Sequence, residues 1–165
     1  MQTISRAIDA LNEKTGRYSS YLVLPLITAV IYEVIVRYVF NAPTSWGFEM
    51  TTFLYGMHYM LGLGDAHRTN THVCIDIFEA RLRPKNRTIL RIITNLVIFI
   101  PTMGLMAIWS VKYAATSWAL WEHASSSWAP PIYPYKTVMA AGFILFLLAS
   151  VSKLLQDFHS LRSAN

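Results

Sequence analysis

Apolar residues are concentrated in four separated stretches of the chain. They cover residues 18–40, 49–66, 92–111 and 135–152. An α-helix rises ~1.5 Å per residue and the hydrocarbon core of a bilayer is ~30 Å thick, so roughly 17 to 25 apolar residues are needed to cross it. Each stretch falls in this range, and together they predict an integral membrane protein.

The predicted fold class is all-α, an integral membrane four-helix bundle. The four spans are expected at about 18–40, 48–66, 89–111 and 135–155. They form one membrane domain, residues 18–155, and residues 156–165 are a cytoplasmic tail. A soluble helical protein is disfavoured because the third apolar stretch has no charged residue, whereas a soluble helix normally shows a polar face.

Residues 1–17 have the pattern of an amphipathic helix. Ile4, Ala7, Ile8 and Leu11 follow the spacing i, i+3, i+4, i+7, and charged residues occupy the other side. This pattern predicts a short N-terminal helix that lies at the membrane interface, with disorder as the alternative. The apolar run that follows is too long for a signal-peptide core, so no cleaved signal is expected.

A second amphipathic segment is predicted in the connection between spans two and three. From His72 to Pro84, apolar residues form a rough stripe beside charged ones. This segment is expected to be a short helix on the inner membrane surface. His72 and Asp76 are one helical turn apart and can form a hydrogen bond that braces the loop.

Composition and charge agree with a membrane protein and set its orientation. The chain is 54% hydrophobic and only 14% charged, which is too apolar for a soluble domain of this length. Eleven of the 14 Lys and Arg residues lie in the N-terminal segment, the 67–91 loop and the tail. Basic residues are retained on the cytoplasmic side, so both termini and this loop are predicted to be cytoplasmic. The net charge of +5 therefore favours an orientation signal over nucleic-acid binding.

The candidate chemistry excludes several classes of site. Cys74 is the only cysteine, so an internal disulfide and a cysteine-rich metal site are excluded. His58 is the only histidine well inside a span, and haem in a bundle usually needs two histidines on facing helices. We therefore expect no enzyme activity, cofactor or metal site in this chain, and we interpret His58 as a hydrogen-bonded packing residue.

Two charged residues inside the first span are the most informative polar positions. Glu33 and Arg37 are four residues apart, on one face of a helix, and can pair directly. A charge at mid-bilayer costs ~2.5 to 3.5 kcal/mol, so it is retained only for a reason. Two interpretations stay open: a self-contained ion pair, or a polar anchor against another polypeptide.

The second and third spans carry packing signals. Gly56 and Gly62 belong to two stripes of small residues on span two, which allow close approach of neighbouring helices. Trp46 marks the outer membrane boundary, and Glu49 stands near the helix start, where the helix dipole favours an anion. Pro101 is expected to kink span three, and no other broken span is predicted.

The order of these motifs resembles one family. In chain order they are Arg37-Tyr38, then W-x-x-E at Trp46 and Glu49, then a glycine-bearing span, then R-x-x-x-H-V-x-I-D at Arg68, His72, Val73, Ile75 and Asp76. This arrangement is similar to the small, DctQ-type membrane subunit of tripartite ATP-independent periplasmic (TRAP) transporters.

The resemblance implies a function in secondary transport across the bacterial inner membrane. A periplasmic binding protein would deliver an organic acid to a large multi-span permease subunit, which moves it inward on a sodium gradient. Sodium and substrate sites would be in the large subunit, and this chain would be a scaffold in contact with lipid. The family-motif and interface candidates are Glu33, Arg37, Trp46, Glu49, Gly56, Gly62, Arg68, His72 and Asp76.

Two other functions are alternatives. A membrane anchor of a respiratory redox complex would use His58 as a haem ligand shared with a partner subunit. A small multidrug exporter also has four spans and a glutamate in the first. Such exporters are shorter, and their dual-topology forms need nearly balanced Lys and Arg, unlike the eleven-to-three distribution here.

The predicted orientation is tested by cysteine labelling in intact cells. In a Cys74→Ser background, a cysteine replacing Arg81 should react with a membrane-impermeant maleimide only after permeabilisation, because the 67–91 loop is expected inside. A cysteine replacing Ser126, in the second outer connection, is the matched control and should react without permeabilisation. Labelling of the Arg81 position in intact cells would contradict the orientation.

Overall fold

The structure is a computed structural model that describes residues 2–69 and 84–163. Its elements are α1 Gln2–Ser20, α2 Val23–Tyr38, α3 Gly47–Arg68, α4 Pro84–Thr94, a π-turn Asn95–Phe99, α5 Ile100–Ala119 and α6 Tyr133–Ser163. The predicted amphipathic loop segment with His72 and Asp76 lies outside the described residues. We call the end of the bundle with residues 39–46 and 120–132 the outer end, after its predicted orientation, and the opposite end the inner end.

Helix α6 lies at the centre of the bundle. It packs against α3 and α5 along most of its length and against α1 near its C-terminal end. Its buried side chains include Ala140, Phe146, Ala149 and Leu154. The face of α5 that meets α6 is made of small residues at alternating spacings of three and four, namely Ala107, Ser110, Ala114 and Ser117. Small residues let helices approach closely, and in lipid this packing replaces the hydrophobic effect as the source of helix association.

Glycines set the distance between α3 and its neighbours. A Cβ at Gly142 of α6 would overlap the backbone of Met60, so the two helices are in backbone contact there. A Cβ at Gly64 would overlap the Asn12 amide and press on the Leu145 carbonyl. Glycine is therefore required at these two crossings, because any larger side chain would separate the helices.

Helix α1 packs on the bundle through a polar face. Ser5, Asn12 and Ser19, spaced seven residues apart, are buried against α3 and α6. Leu11, from the apolar stripe that predicted an interfacial helix, is 48% exposed and faces away from the bundle. The helix is also longer than predicted, and its placement in the headgroup region stays a prediction. Its inward face is polar because short side chains permit close packing and find hydrogen-bond partners across the contact.

Those partners form a compact network where α1 meets α6. Ser5 Oγ and Ser152 Oγ are 2.7 Å apart, and Ser152 Oγ also donates to Asp9 Oδ1 at 2.7 Å. The Gln156 amide donates to Ser5 Oγ and to Asp9 Oδ2, each at 2.8 Å. Both oxygens of the Asp9 carboxylate therefore accept hydrogen bonds, which offsets the cost of placing the charge in a helix contact.

The predicted first span is broken near its start. Tyr21 and Leu22 form a turn between α1 and α2, because Pro25 has no N–H to donate to the carbonyl of Tyr21. The Tyr21 carbonyl instead accepts from Leu24 at 3.2 Å. His58, midway along α3, lies with Nδ1 2.9 Å from the Ser19 carbonyl. The expectation that this span is unbroken was wrong, and His58 has the packing role expected of it.

The third span contains a π-turn before Pro101. The N–H of Ile100 donates to the carbonyl of Asn95, five residues earlier, because the next residue is a proline and cannot continue the α-helical ladder. Asn95 Nδ2 donates to the Ser150 carbonyl at 3.2 Å and anchors the π-turn to α6. The structure thus has a π-turn directly before Pro101, and the kink expected at Pro101 stays a prediction.

Three stretches of the described residues are long and apolar enough to cross a membrane: Ser5–Tyr38, Asn86–Ala119 and Tyr133–Leu161. They correspond to predicted spans one, three and four. Predicted span two corresponds to α3, a 22-residue helix whose charged ends and internal polar residues make it less apolar. Its length of ~33 Å would reach across the hydrocarbon core. The four-span count stays a prediction.

Two glycine substitutions test the α3–α6 contact. Gly142→Ala should lower the stability of the purified protein in detergent by about 1–3 kcal/mol, because the new methyl group overlaps Met60. Gly104→Ala is the matched control, since a Cβ there has no neighbour within 4 Å. It should be neutral or stabilise by up to ~1 kcal/mol through helix propensity. Equal thermal unfolding temperatures for the two variants would contradict the close contact.

Candidate functional site

Four residues meet at the outer end of α2 and α3, and we call this group the outer corner: Glu33, Arg37, Thr44 and Gly47. Arg37 donates to Glu33 Oε1 from Nη2 at 2.6 Å and from Nε at 3.1 Å. Thr44 Oγ1 donates to Glu33 Oε2. The direct pairing predicted from the i, i+4 spacing is confirmed, and the threonine completes the coordination of the carboxylate.

The turn from 39 to 46 brings Thr44 back to α2. Asn41 has a positive φ of 50°, a conformation that asparagine tolerates, and it reverses the chain just after the helix ends. The N–H of Gly47 then donates to Thr44 Oγ1 at 3.0 Å, so one hydroxyl both caps α3 and holds Glu33. This links α2, the turn and α3 through a single side chain.

Gly47 and Trp46 close the outer corner. Gly47 is buried, and a Cβ there would overlap Glu33 Oε2 and Thr44 Oγ1. The Trp46 ring stacks on Tyr32 of α2 with ring centroids 5.7 Å apart. Trp46 therefore contacts α2 next to the outer corner. Its place at the membrane boundary stays a prediction.

The charges of the outer corner compensate each other. The Glu33 side chain is only 12% exposed, whereas the Arg37 side chain is 48% exposed. The carboxylate is shielded from lipid and accepts three hydrogen bonds, and the guanidinium at its side keeps the pair neutral. Chemically this arrangement fixes two helices relative to each other. Among the described residues, no group of three His, Cys, Asp or Glu side chains could hold a metal ion.

Glu49 does not join the outer corner. It lies in the first turn of α3, and its Oε2 is buried without a hydrogen-bond partner among the described residues. The helix N-terminus favours a negative charge at this position, as the sequence predicts. The position therefore matches a helix-start role, and its function as a family-motif residue stays a prediction.

The two glycine candidates on α3 contact this chain's own helices. A Cβ at Gly56 would overlap the Tyr135 phenol, which also stacks on Phe53 with ring centroids 4.9 Å apart. A Cβ at Gly62 would be 3.7 Å from Ser19 Oγ of α1. Both glycines serve internal packing here, so we do not assign them to a contact with another subunit.

Arg68 belongs to a separate charged cluster at the inner end. Its Nη2 is 2.8 Å from Asp65 Oδ1 and 3.6 Å from Glu13 Oε2 of α1. Asp65 packs directly on Gly16, where a Cβ would overlap it. Asp65 and Glu13 were not among the predicted site residues, although the i, i+3 spacing of Asp65 and Arg68 is a usable signal. The structure thus places Arg68 in a charged cluster at the opposite end of the bundle from the outer corner.

A second ion pair at the outer end was also missed. Lys136 of α6 donates to the Glu122 carboxylate across the 120–132 connection, and its side chain is 8% exposed. Its ammonium lies 3.8 Å from the ring centroid of Tyr113. The Lys136 ammonium lowers the pKa of the Glu122 carboxyl, because it stabilises the charged form. No local spacing signals this pair, since a proline-rich turn separates its members.

Aromatic rings also pack against one another at the ends of the 120–132 connection. Tyr133 packs against Trp118 and Trp121 with ring centroids 4.3 and 5.5 Å away. Trp118 Nε1 donates to Thr137 Oγ1 at 2.8 Å. The connection between α5 and α6 is therefore a defined, packed structure at the outer end.

Comparison with known families gives one finding. Residues 26–160 match the model of the family described as Tripartite ATP-independent periplasmic transporters, DctQ component. The match begins within α2 and extends to near the end of α6, so it includes the outer corner and leaves out α1. The search among curated proteins found no match.

The Glu122–Lys136 pair predicts acid sensitivity of the outer connection. The folded pKa of Glu122 is lowered from 4.5, so its contribution to stability is present above pH 4.5 and is lost as pH falls through the lowered value. Tryptophan fluorescence, which reports on Trp118 and Trp121, should change over that acidic range in detergent. Glu122→Gln is the control and should lose this transition; an unchanged acid transition in that variant would contradict the assignment.

Proposed function

The chain belongs to the DctQ family of TRAP transporters, and on this basis we propose that it is the scaffold subunit of a secondary uptake system. Its identification as a TRAP small membrane component confirms the resemblance seen in the motifs from Arg37 to Asp76. The family is a family of transporter components and is not an enzyme family. The family works with a large permease component and a periplasmic binding protein.

The observation that carries the scaffold role is the pairing of three sets of opposite charges within the described residues. Glu33 pairs with Arg37, Asp65 with Arg68, and Glu122 with Lys136. A transporter's own binding site presents polar groups and helix ends to a substrate at mid-membrane. Charges that are neutralised within the chain stabilise a fixed structure, which supports a rigid support function for this subunit.

The transport reaction itself would belong to the partners. A binding protein delivers an organic acid, and the large subunit moves it inward using a cation gradient, with substrate and sodium sites in that subunit. This chain would lie in the inner membrane with four spans and both termini in the cytoplasm. The eleven-to-three distribution of Lys and Arg supports this orientation.

Rigid docking is the mechanism we assign to the chain. Glu33 and Arg37 would anchor the bundle against the large subunit. Trp46, Glu49 and the 112–134 segment would lie on the side where the binding protein arrives. The packed aromatic rings of that segment support a firm surface, because they hold its turn in one conformation.

The direct test is purification of the tagged full-length chain from its native membrane. A many-span permease should co-purify, and uptake of an organic acid into vesicles should require both membrane proteins, the binding protein and an ion gradient. A purified complex with a Soret band would favour the respiratory anchor instead. Growth protection against toxic cations by this chain alone would favour the exporter.

Glu33→Leu should weaken assembly without changing which substrate is transported. Loss of the carboxylate leaves Arg37 and Thr44 without their common partner, which we expect to raise the dissociation constant of the subunit complex by about tenfold or more. Relative uptake rates among competing organic acids should stay unchanged. Lys112→Leu, which removes an outer-end charge on α5, is the control; altered substrate preference with intact assembly would contradict the scaffold role.

A further inference from the structure

A continuous groove runs between α2 and α3 on the surface of the bundle. Its lower part, about 490 Å³, lies between the apolar side chains of α2 and the threonines of α3, and its upper part, about 210 Å³, ends at the outer corner. Val30 and Thr51 line both parts, so the two parts belong to one groove. From Leu26 to Tyr38 the groove extends ~18 Å along α2, about three turns of a helix.

The groove is open because each of its two helices has an uncovered face. Among the described residues, α2 packs mainly on α3, and none of the residues of α2 is buried. On α3, the residues that face the groove or its rim include Phe48, Thr52 and Tyr55, all exposed. The two helices therefore form the walls of a helix-sized groove that is open within residues 2–69 and 84–163.

The exposed face of α5 is the internal comparison. It carries Leu105, Ile108, Trp109 and Val111, all exposed, and it has no charged residue over this stretch. Such a face is suited to lipid tails. The groove instead contains two threonines and the Glu33–Arg37 pair, and ionisable residues within membrane spans usually face protein.

Arg37 indicates the chemistry of the occupant. Its Nε and Nη2 both bind Glu33 Oε1, whereas Nη1 makes no hydrogen bond within residues 2–69 and 84–163. Both oxygens of the Glu33 carboxylate already accept hydrogen bonds from Arg37 or Thr44. The hydrogen-bonding group of the outer corner that has no partner is therefore a donor on the positively charged guanidinium. A carboxylate is the group that a guanidinium binds best, with good geometry for two hydrogen bonds.

We propose that this groove receives one transmembrane helix of the large permease subunit, and that this helix carries an aspartate or glutamate near its outer end that binds Arg37. The proposal rests on the proposed function, because it requires that a large subunit exists. Beyond that function, the proposal specifies which surface of this chain is occupied, how many helices of the partner occupy it, and the charge of the partner residue that binds Arg37. The occupying helix packs against Ile31 and Tyr55 below and pairs with Arg37 above.

Site-specific photo-crosslinking in the assembled complex tests the surface. Benzoylphenylalanine is placed at Ile31 in the groove or at Ile108 on the face of α5, which are 54% and 55% exposed and so equally able to accept it. In membranes that contain both subunits, Ile31 should give a crosslinked band that contains the large subunit, and Ile108 should give none. Peptide mapping of the band should identify a single transmembrane segment with an acidic residue.

The outcomes separate the groove from the subunit assignment. If the wild-type chain co-purifies with the large subunit but Ile31 yields no crosslink to it, the groove holds lipid and the present proposal fails while the scaffold function stands. Crosslinks from Ile108 in place of Ile31 would likewise overturn it. If no large subunit co-purifies with the wild-type chain, the proposed function itself fails.

The proposed pairing of Arg37 with an acidic residue of the partner helix is tested by a conservative substitution. Arg37→Lys retains a cation beside Glu33 but loses the forked donor, so the complex should dissociate about tenfold more readily. Lys14→Gln, which removes an exposed charge from α1, is the control and should leave the dissociation constant unchanged. Arg37→Glu should abolish assembly, and an arginine at the mapped acidic residue of the partner should restore it. Equal affinity of wild type and Arg37→Lys, or no restoration, would overturn the carboxylate assignment.

Discussion

The structure depends on one constraint: within a bilayer, every polar group that leaves water must find its partner in the protein. Glu33 meets this constraint through Arg37 and Thr44, and Lys136 meets it through Glu122. The constraint also governs the backbone, since His58 contacts the Ser19 carbonyl where the first span breaks. Several of the described polar residues therefore act as connections between elements that are remote in the chain.

The same constraint explains why the bundle is held together by small and polar residues. Lipid tails are as apolar as leucine, so burial of large apolar side chains gives helices little reason to associate. Close contact between helix backbones does favour association, and Gly64 and Gly142 permit such contact along α3 and α6. Helix α1 uses serine and asparagine for the same purpose, which leaves Leu11 toward the outside.

These features fit a subunit whose contribution is rigidity. Three ion pairs are formed within the described residues, and the outer connection contains packed aromatic rings and a shielded lysine. The groove between α2 and α3 is different, because it ends at a guanidinium with an unused donor. The outer connection thus has its charges paired within the chain. The groove between α2 and α3, on our proposal, is filled by a helix of the large subunit.

The sequence by itself determined the membrane class, the helical content, the Glu33–Arg37 pair and, through local motifs, the family. The ion pair depends on residues one helical turn apart, where spacing fixes proximity, and the other conclusions depend on the composition and order of residues along continuous segments of the chain. Only the tertiary structure decided that Thr44 completes the outer corner, that Tyr135 fills the space at Gly56, that Lys136 pairs with Glu122 and that α1 turns its polar face inward. These contacts join residues that are remote in the chain, and their formation depends on how whole helices pack, which periodicity along one helix does not encode.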